Sequence, residues 1–93
     1  MHCKHLNFTG HAIQQMFQRT ITKDDVRKVI SNGEVISDYP DDKPYPSMLL
    51  LGFVGKRPVH VVLAYDNINE TGYVVTAYVP DAKLWTENFK RRI

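Results

Sequence analysis

The sequence predicts an α+β domain: an N-terminal helical hairpin packed on one face of a 3–4-stranded antiparallel β-meander, followed by a short C-terminal helix. Three observations predict it. Two segments with helical apolar spacing and N-terminal caps lie before Gly33, and three apolar runs with strand alternation lie between Met48 and Val79. The chain has 93 residues, which suffices for one domain around a single core.

Met1 to Leu6 is short and polar and reads as a frayed end. His2, Cys3 and His5 have metal-binding chemistry, but a disordered terminus explains them more simply. Thr9 is placed as an N-cap for a helix from Gly10 to Arg19, with Ile13, Met16 and Phe17 as its inward stripe. His11, Gln15, Gln18 and Arg19 then fall on the outer side. Thr22 caps the second helix, and Asp25 takes the reciprocal capping-box position. Ile21 and Val26 are spaced as a hydrophobic staple. Val26, Val29 and Ile30 point inward, and Asn32-Gly33 supplies the stop.

Glu34 to Tyr39 reads as a short edge strand, and Pro40 to Pro46 as a proline-rich loop. Met48 to Val54, Pro58 to Tyr65 and Tyr73 to Val79 form the meander, with turns at Gly55-Lys56 and Asp66 to Gly72. Ala82 to Phe89 is read as the closing helix, and Lys90-Arg91-Arg92 as a basic tail.

Alternation sorts these strands into two faces. Leu50, Val54, Val59, Val61, Leu63, Val75, Ala77 and Val79 make an aliphatic face for the helices to cover. Leu49, Leu51, Phe53, His60, Val62, Thr76 and Tyr78 share the other, whose apolar lining with a few polar groups suits a binding cleft. A symmetric hairpin sets Tyr65 opposite Tyr73, Ala64 opposite Val74, Val62 opposite Thr76 and His60 opposite Tyr78. The last pair has two readings: a functional couple acting on a ligand, or a structural histidine tied to a tyrosine hydroxyl.

The formal charge is +2, which does not mark a dedicated DNA-coating protein. A single cysteine, Cys3, excludes an intrachain disulfide and fits a reducing, cytoplasmic setting. No apolar run approaches the roughly 20 residues of a membrane span, and the N-terminus lacks a signal-peptide layout. Phosphate-cradling glycine loops, nucleophile elbows and zinc spacings are missing, so no cofactor or metal is expected.

Several segments carry a resemblance. They are Phe8-Thr-Gly-His-Ala12, Met16 to Arg19, Ile21-Thr-Lys-Asp-Asp-Val26, Asn32-Gly33, Asp38-Tyr-Pro40 and Tyr45 to Gly52. Gly55 to Val62, Val75-Thr-Ala-Tyr78 and Pro80-Asp81 with Trp85 complete the set. In these the chain resembles a bacterial family known as domain of unknown function 4258, itself similar to RelE-type toxins and other compact ribonucleases. That resemblance implies two helices against an antiparallel sheet, and a toxin that acts on RNA and pairs with an antitoxin. The chain departs from those toxins in its lighter Lys/Arg loading and in having no arginine at the end of its last strand.

Three functions follow as expectations. In a metal-independent endoribonuclease, His60 serves as base or acid and Tyr78 as proton donor or orienting group, while Arg19 and His11 stabilise the phosphate. Tyr45, Phe53 or Trp85 would stack on a base, with Thr76, Lys56 and Arg57 as further substrate contacts. In a non-catalytic interaction module, the second sheet face binds a protein partner or another copy of the chain. A plain nucleic-acid binder would use Lys56, Arg57 and the basic tail.

Overall fold

The computed structural model describes residues 1–93. In chain order it contains β1 (His5–Phe8), α1 (Gly10–Gln18), α2 (Lys23–Asn32), β2 (Glu34–Tyr39), β3 (Ser47–Val54), β4 (Arg57–Asp66) and β5 (Thr71–Tyr78). The five strands form one sheet in the order β1-β5-β4-β3-β2. β2 to β5 are antiparallel neighbours, as expected, but β1 runs parallel to β5. The sheet is therefore mixed and one strand wider than the predicted meander.

The extra strand comes from the segment expected to fray. The N–H groups of Lys4 and His5 both donate to the Glu70 carbonyl, at 3.0 and 3.2 Å, and start the pairing. Leu6 and Phe8 then pack against the core. β1 thereby covers an edge of β5 that would otherwise expose unpaired backbone groups.

Both predicted helix starts are present. The Thr9 hydroxyl accepts from the Ala12 N–H at 3.0 Å and donates to the Val74 carbonyl, also at 3.0 Å, so one side chain caps α1 and pins it to β5. Thr22 and Asp25 form the full capping box, both bonds measuring 3.0 Å. The helices do not form the predicted tight hairpin. α1 lies on β5, while α2 lies on β3 and β4. Close seating on β5 also turns α1: Ala12 and Met16 face the sheet, whereas Ile13 and Phe17 are exposed. The small Ala12 permits that approach, and a stripe centred on the larger residues would not.

Between the helices, the Thr20 and Ile21 N–H groups donate to the carbonyls of Phe17 and Met16. This is a Schellman closure with Thr20 in the left-handed position at φ 57°. Gly33 ends α2 in an extended conformation, not a left-handed one. Glycine is required there by space, since a Cβ would stand 2.7 Å from the Leu51 carbonyl oxygen.

The core lies between the helices and one sheet face. It joins Ala12, Met16, Val26, Val29 and Ile30 to Leu50, Val59, Val61, Leu63, Val74 and Ala77. The aliphatic face is as predicted except on β5. A bulge between Val62 and Leu63 in the β4–β5 pairing sets Leu63 opposite Val74 and Val62 opposite Thr76. Val74 becomes the core residue, and Val75 turns outward. Ala64 and Tyr65 consequently face Tyr73 and Gly72, one place off the symmetric hairpin.

Residues 82–89 do not form the predicted helix. Asp81 opens a single turn through bonds to Lys83, Leu84 and Trp85, and the chain then doubles back. Trp85 pairs with Arg92, and the Thr86 N–H donates to the Arg91 carbonyl. The Asn88 side-chain Oδ1 accepts from the Thr86 hydroxyl and the Lys90 N–H, and Phe89 sits at φ 60°. Such local side-chain bonds compete with a helical ladder and here prevail. The result is a strap across part of the second sheet face.

Candidate functional site

The strap divides the second sheet face into a covered half and an open half. His60 lies at the centre of the covered half and is fully buried. Its Nε2 is 2.8 Å from the Phe89 carbonyl oxygen and its Nδ1 is 3.1 Å from the Tyr78 hydroxyl. A carbonyl can only accept, so Nε2 carries the proton and the Tyr78 hydroxyl donates to Nδ1. Trp85 meets the imidazole edge-on, with centroids 4.4 Å apart and planes at 87°. Burial pushes the imidazole below its ordinary value of 6.5, opposed by the bond to Phe89. Burial likewise raises the Tyr78 phenol above 10.0.

His60, Tyr78 and Trp85 are thus brought together as one unit whose polar atoms satisfy each other and the strap. Trp85 is 8% exposed and offers no free face to a base. Leu51 stands opposite His60 on the β3 side. Lys90 completes the clasp with a 3.0 Å ion pair to Glu34, and the Arg92 guanidinium lies over the Trp85 ring.

The other candidates are dispersed. His11 is exposed on α1, which packs on the opposite face of the sheet. Arg19 is also exposed and bonds to Gln15. Arg57 is committed: its guanidinium reaches the Thr20 carbonyl at 3.0 Å and the Asp25 carboxylate at 3.6 Å, tying the β3–β4 turn to the helix connection. Lys56 sits in that turn, exposed beside Gly55 at φ 63°. Phe53 is half-exposed opposite Pro58, and Thr76 is half-buried opposite Val62.

Tyr45 belongs to the open half. The loop between β2 and β3 folds back over β4 and β5 and encloses a cleft of about 460 Å³, within the usual size range of small-ligand sites. Val62, Ala64 and Val75 line it beneath the Tyr45 and Tyr73 side chains. Those two rings stack with centroids 5.5 Å apart and planes 4° from parallel. The Asp66 carboxylate, and then the Tyr73 hydroxyl, push the Tyr45 phenol above 10.0. Asp66 is itself held below 3.8 by the Asn69 side chain, against its burial, with help from the Ile68 and Asn69 N–H groups. At the mouth the Ser47 hydroxyl donates to the exposed Asp42 carboxylate, with Lys43 beside it.

Of the cleft residues, sequence reasoning named Tyr45 as a ligand contact and set Val62 on the correct face. It missed Tyr73, Val75, Asp42 and Ser47. Tyr73 was recoverable by counting in twos from Ala64, but only with the bulge known. Without it, Val75 falls on the core side.

No three His, Cys, Asp or Glu side chains gather closely enough to hold a metal ion. No helix is long and apolar enough to cross a membrane. The family model described as a domain of unknown function (DUF4258) matches residues 8–79. The chain belongs to this family. Comparison with curated proteins and with solved structures finds no significant match to either. The DUF4258 match takes in α1, α2 and the sheet from β2 onward and stops where the strap begins.

Proposed function

We propose that this DUF4258 domain is a non-catalytic interaction module that holds a segment of a partner protein in the open half of its second sheet face. The observation that carries this reading is the cleft itself. An apolar floor, a stacked tyrosine pair and a few polar groups at the rim converge there, and none is covered by the strap. The exposed Ile13–Phe17 pair on α1 is the rival apolar surface, but no cleft is formed around it.

The ribonuclease reading has less support. A base or acid must reach a substrate proton, yet both ring nitrogens of His60 are engaged beneath the strap, and His11 and Arg19 stand on the far side of the sheet. That reading would need the strap to leave.

The test uses the tagged full-length chain in its native host. Val75 is exposed, so Val75→Arg should leave the fold intact while blocking the cleft. Phe17→Arg serves as the matched control on α1. The expected result is a stoichiometric co-purifying protein that is lost with Val75→Arg and kept with Phe17→Arg. Loss with Phe17→Arg alone would move the interface to α1. RNA cleavage by the purified chain that disappears with His60→Gln would replace this reading with the catalytic one.

A further inference from the structure

We propose that the cleft recognises an arginine side chain presented by the partner; this rests on the interaction-module reading above. Its chemistry matches that side chain part by part. The floor of Val62, Ala64 and Val75 suits an aliphatic stem, which gains by leaving water while its charged head stays near the surface. The tyrosine pair supplies an aromatic face, whose quadrupole attracts a planar cation and favours guanidinium stacking. At the mouth, Asp42 is fixed through Oδ2 by the Ser47 hydroxyl, which leaves Oδ1 to accept from a ligand. Ser47 is buried and can orient that carboxylate without competing for the incoming group.

Local charge has the same sign. Asp42 at the mouth and Asp66 beside Tyr45 stand against one ammonium, Lys43, in a chain whose overall formal charge is +2. Asp66 is nearly buried and saturated by the Asn69 and Ile68 bonds, so it contributes field and not a contact. A phosphate backbone would meet these carboxylates at a cost, which disfavours RNA at this position. Arginine is preferred to lysine because its planar group can stack and bond to the carboxylate together.

The experiment titrates the isotope-labelled full chain with an acetylated, amidated glycine-arginine-glycine peptide, followed by amide and tyrosine-ring resonances. Citrulline and norleucine replace arginine in two matched peptides, and a short oligouridylate is the nucleic-acid probe. The arginine peptide should move Tyr45, Tyr73 and Val75 signals saturably. Citrulline should bind about tenfold more weakly, as loss of a charge-assisted contact implies. Asp42→Asn should weaken the arginine peptide similarly with spectra otherwise native, and Lys43→Ala should tighten it.

Norleucine binding as tightly as arginine would overturn the inference and leave the interaction module standing, with an apolar anchor instead. No peptide shifts, together with co-purification still lost in Val75→Arg, would have the same meaning. No shifts and co-purification indifferent to Val75→Arg would overturn both. Saturable shifts with oligouridylate alone would also overturn both.

Discussion

The Nε2 of His60 lies 2.8 Å from the carbonyl oxygen of Phe89 and makes a central strand residue the anchor of the C-terminal strap. One buried side chain joins β4, β5 through Tyr78, and a segment with no regular structure of its own. His60→Ala removes both bonds and opens a hole beneath Trp85. Lost hydrogen bonds and a new cavity together cost about 2–4 kcal/mol. Urea unfolding should show that loss, and hydrogen exchange should show faster opening of residues 84–92. Unchanged stability would remove His60 from its structural role.

The same residue sets an acid limit. Its folded pKa lies below the unfolded value of 6.5, so the unfolded chain binds the proton more readily. The associated stability is fully present above 6.5 and is lost as pH falls from there toward the folded value. Asp66, also depressed, adds a second loss that begins lower, near 3.8, and is complete below its folded value. Thermal melting should therefore decline in two stages on acidification. His60→Gln should flatten the upper stage and leave the lower one.

Thr20 occupies the left-handed position of the α1 closure at φ 57°, braced by the Arg57 bond to its carbonyl. A β-branched residue is strained there, and glycine is not. Thr20→Gly should stabilise the domain by about 0.5–1 kcal/mol, the relief exceeding the added freedom of the unfolded chain. The midpoint of a urea titration reads this directly. A drop would mean that the threonine methyl contributes more through packing than it costs in backbone strain.

What was legible in the sequence followed the range of the interaction. The Thr22–Asp25 box closes within four residues and was readable, whereas the symmetric hairpin reaches His60 opposite Tyr78 only because the bulge offsets its one-residue error at the turn. β1 was not readable, because Leu6 and Phe8 show too little alternation and their partner strand begins at Thr71. The rotation of α1 is decided by a bond from Thr9 to the Val74 carbonyl, a tertiary contact without a local signature. The bulge at Val62–Leu63 hid the cleft, since it alone moves Val75 to the outer face and sets Tyr73 beside Tyr45. The strap was misread because Trp85 and Phe89 have helical spacing, while Thr86 and Asn88 direct the backbone elsewhere.

The claim that this domain works through the open half of its second face is tested most directly by placing a photo-activated cross-linking residue at Val75 and, separately, at Phe17. Both sites are exposed, and they lie on opposite sides of the sheet. After illumination in the native host, a discrete protein adduct should form from position 75 and none from position 17. Adducts from position 17 alone, or RNA in place of protein at position 75, would contradict it.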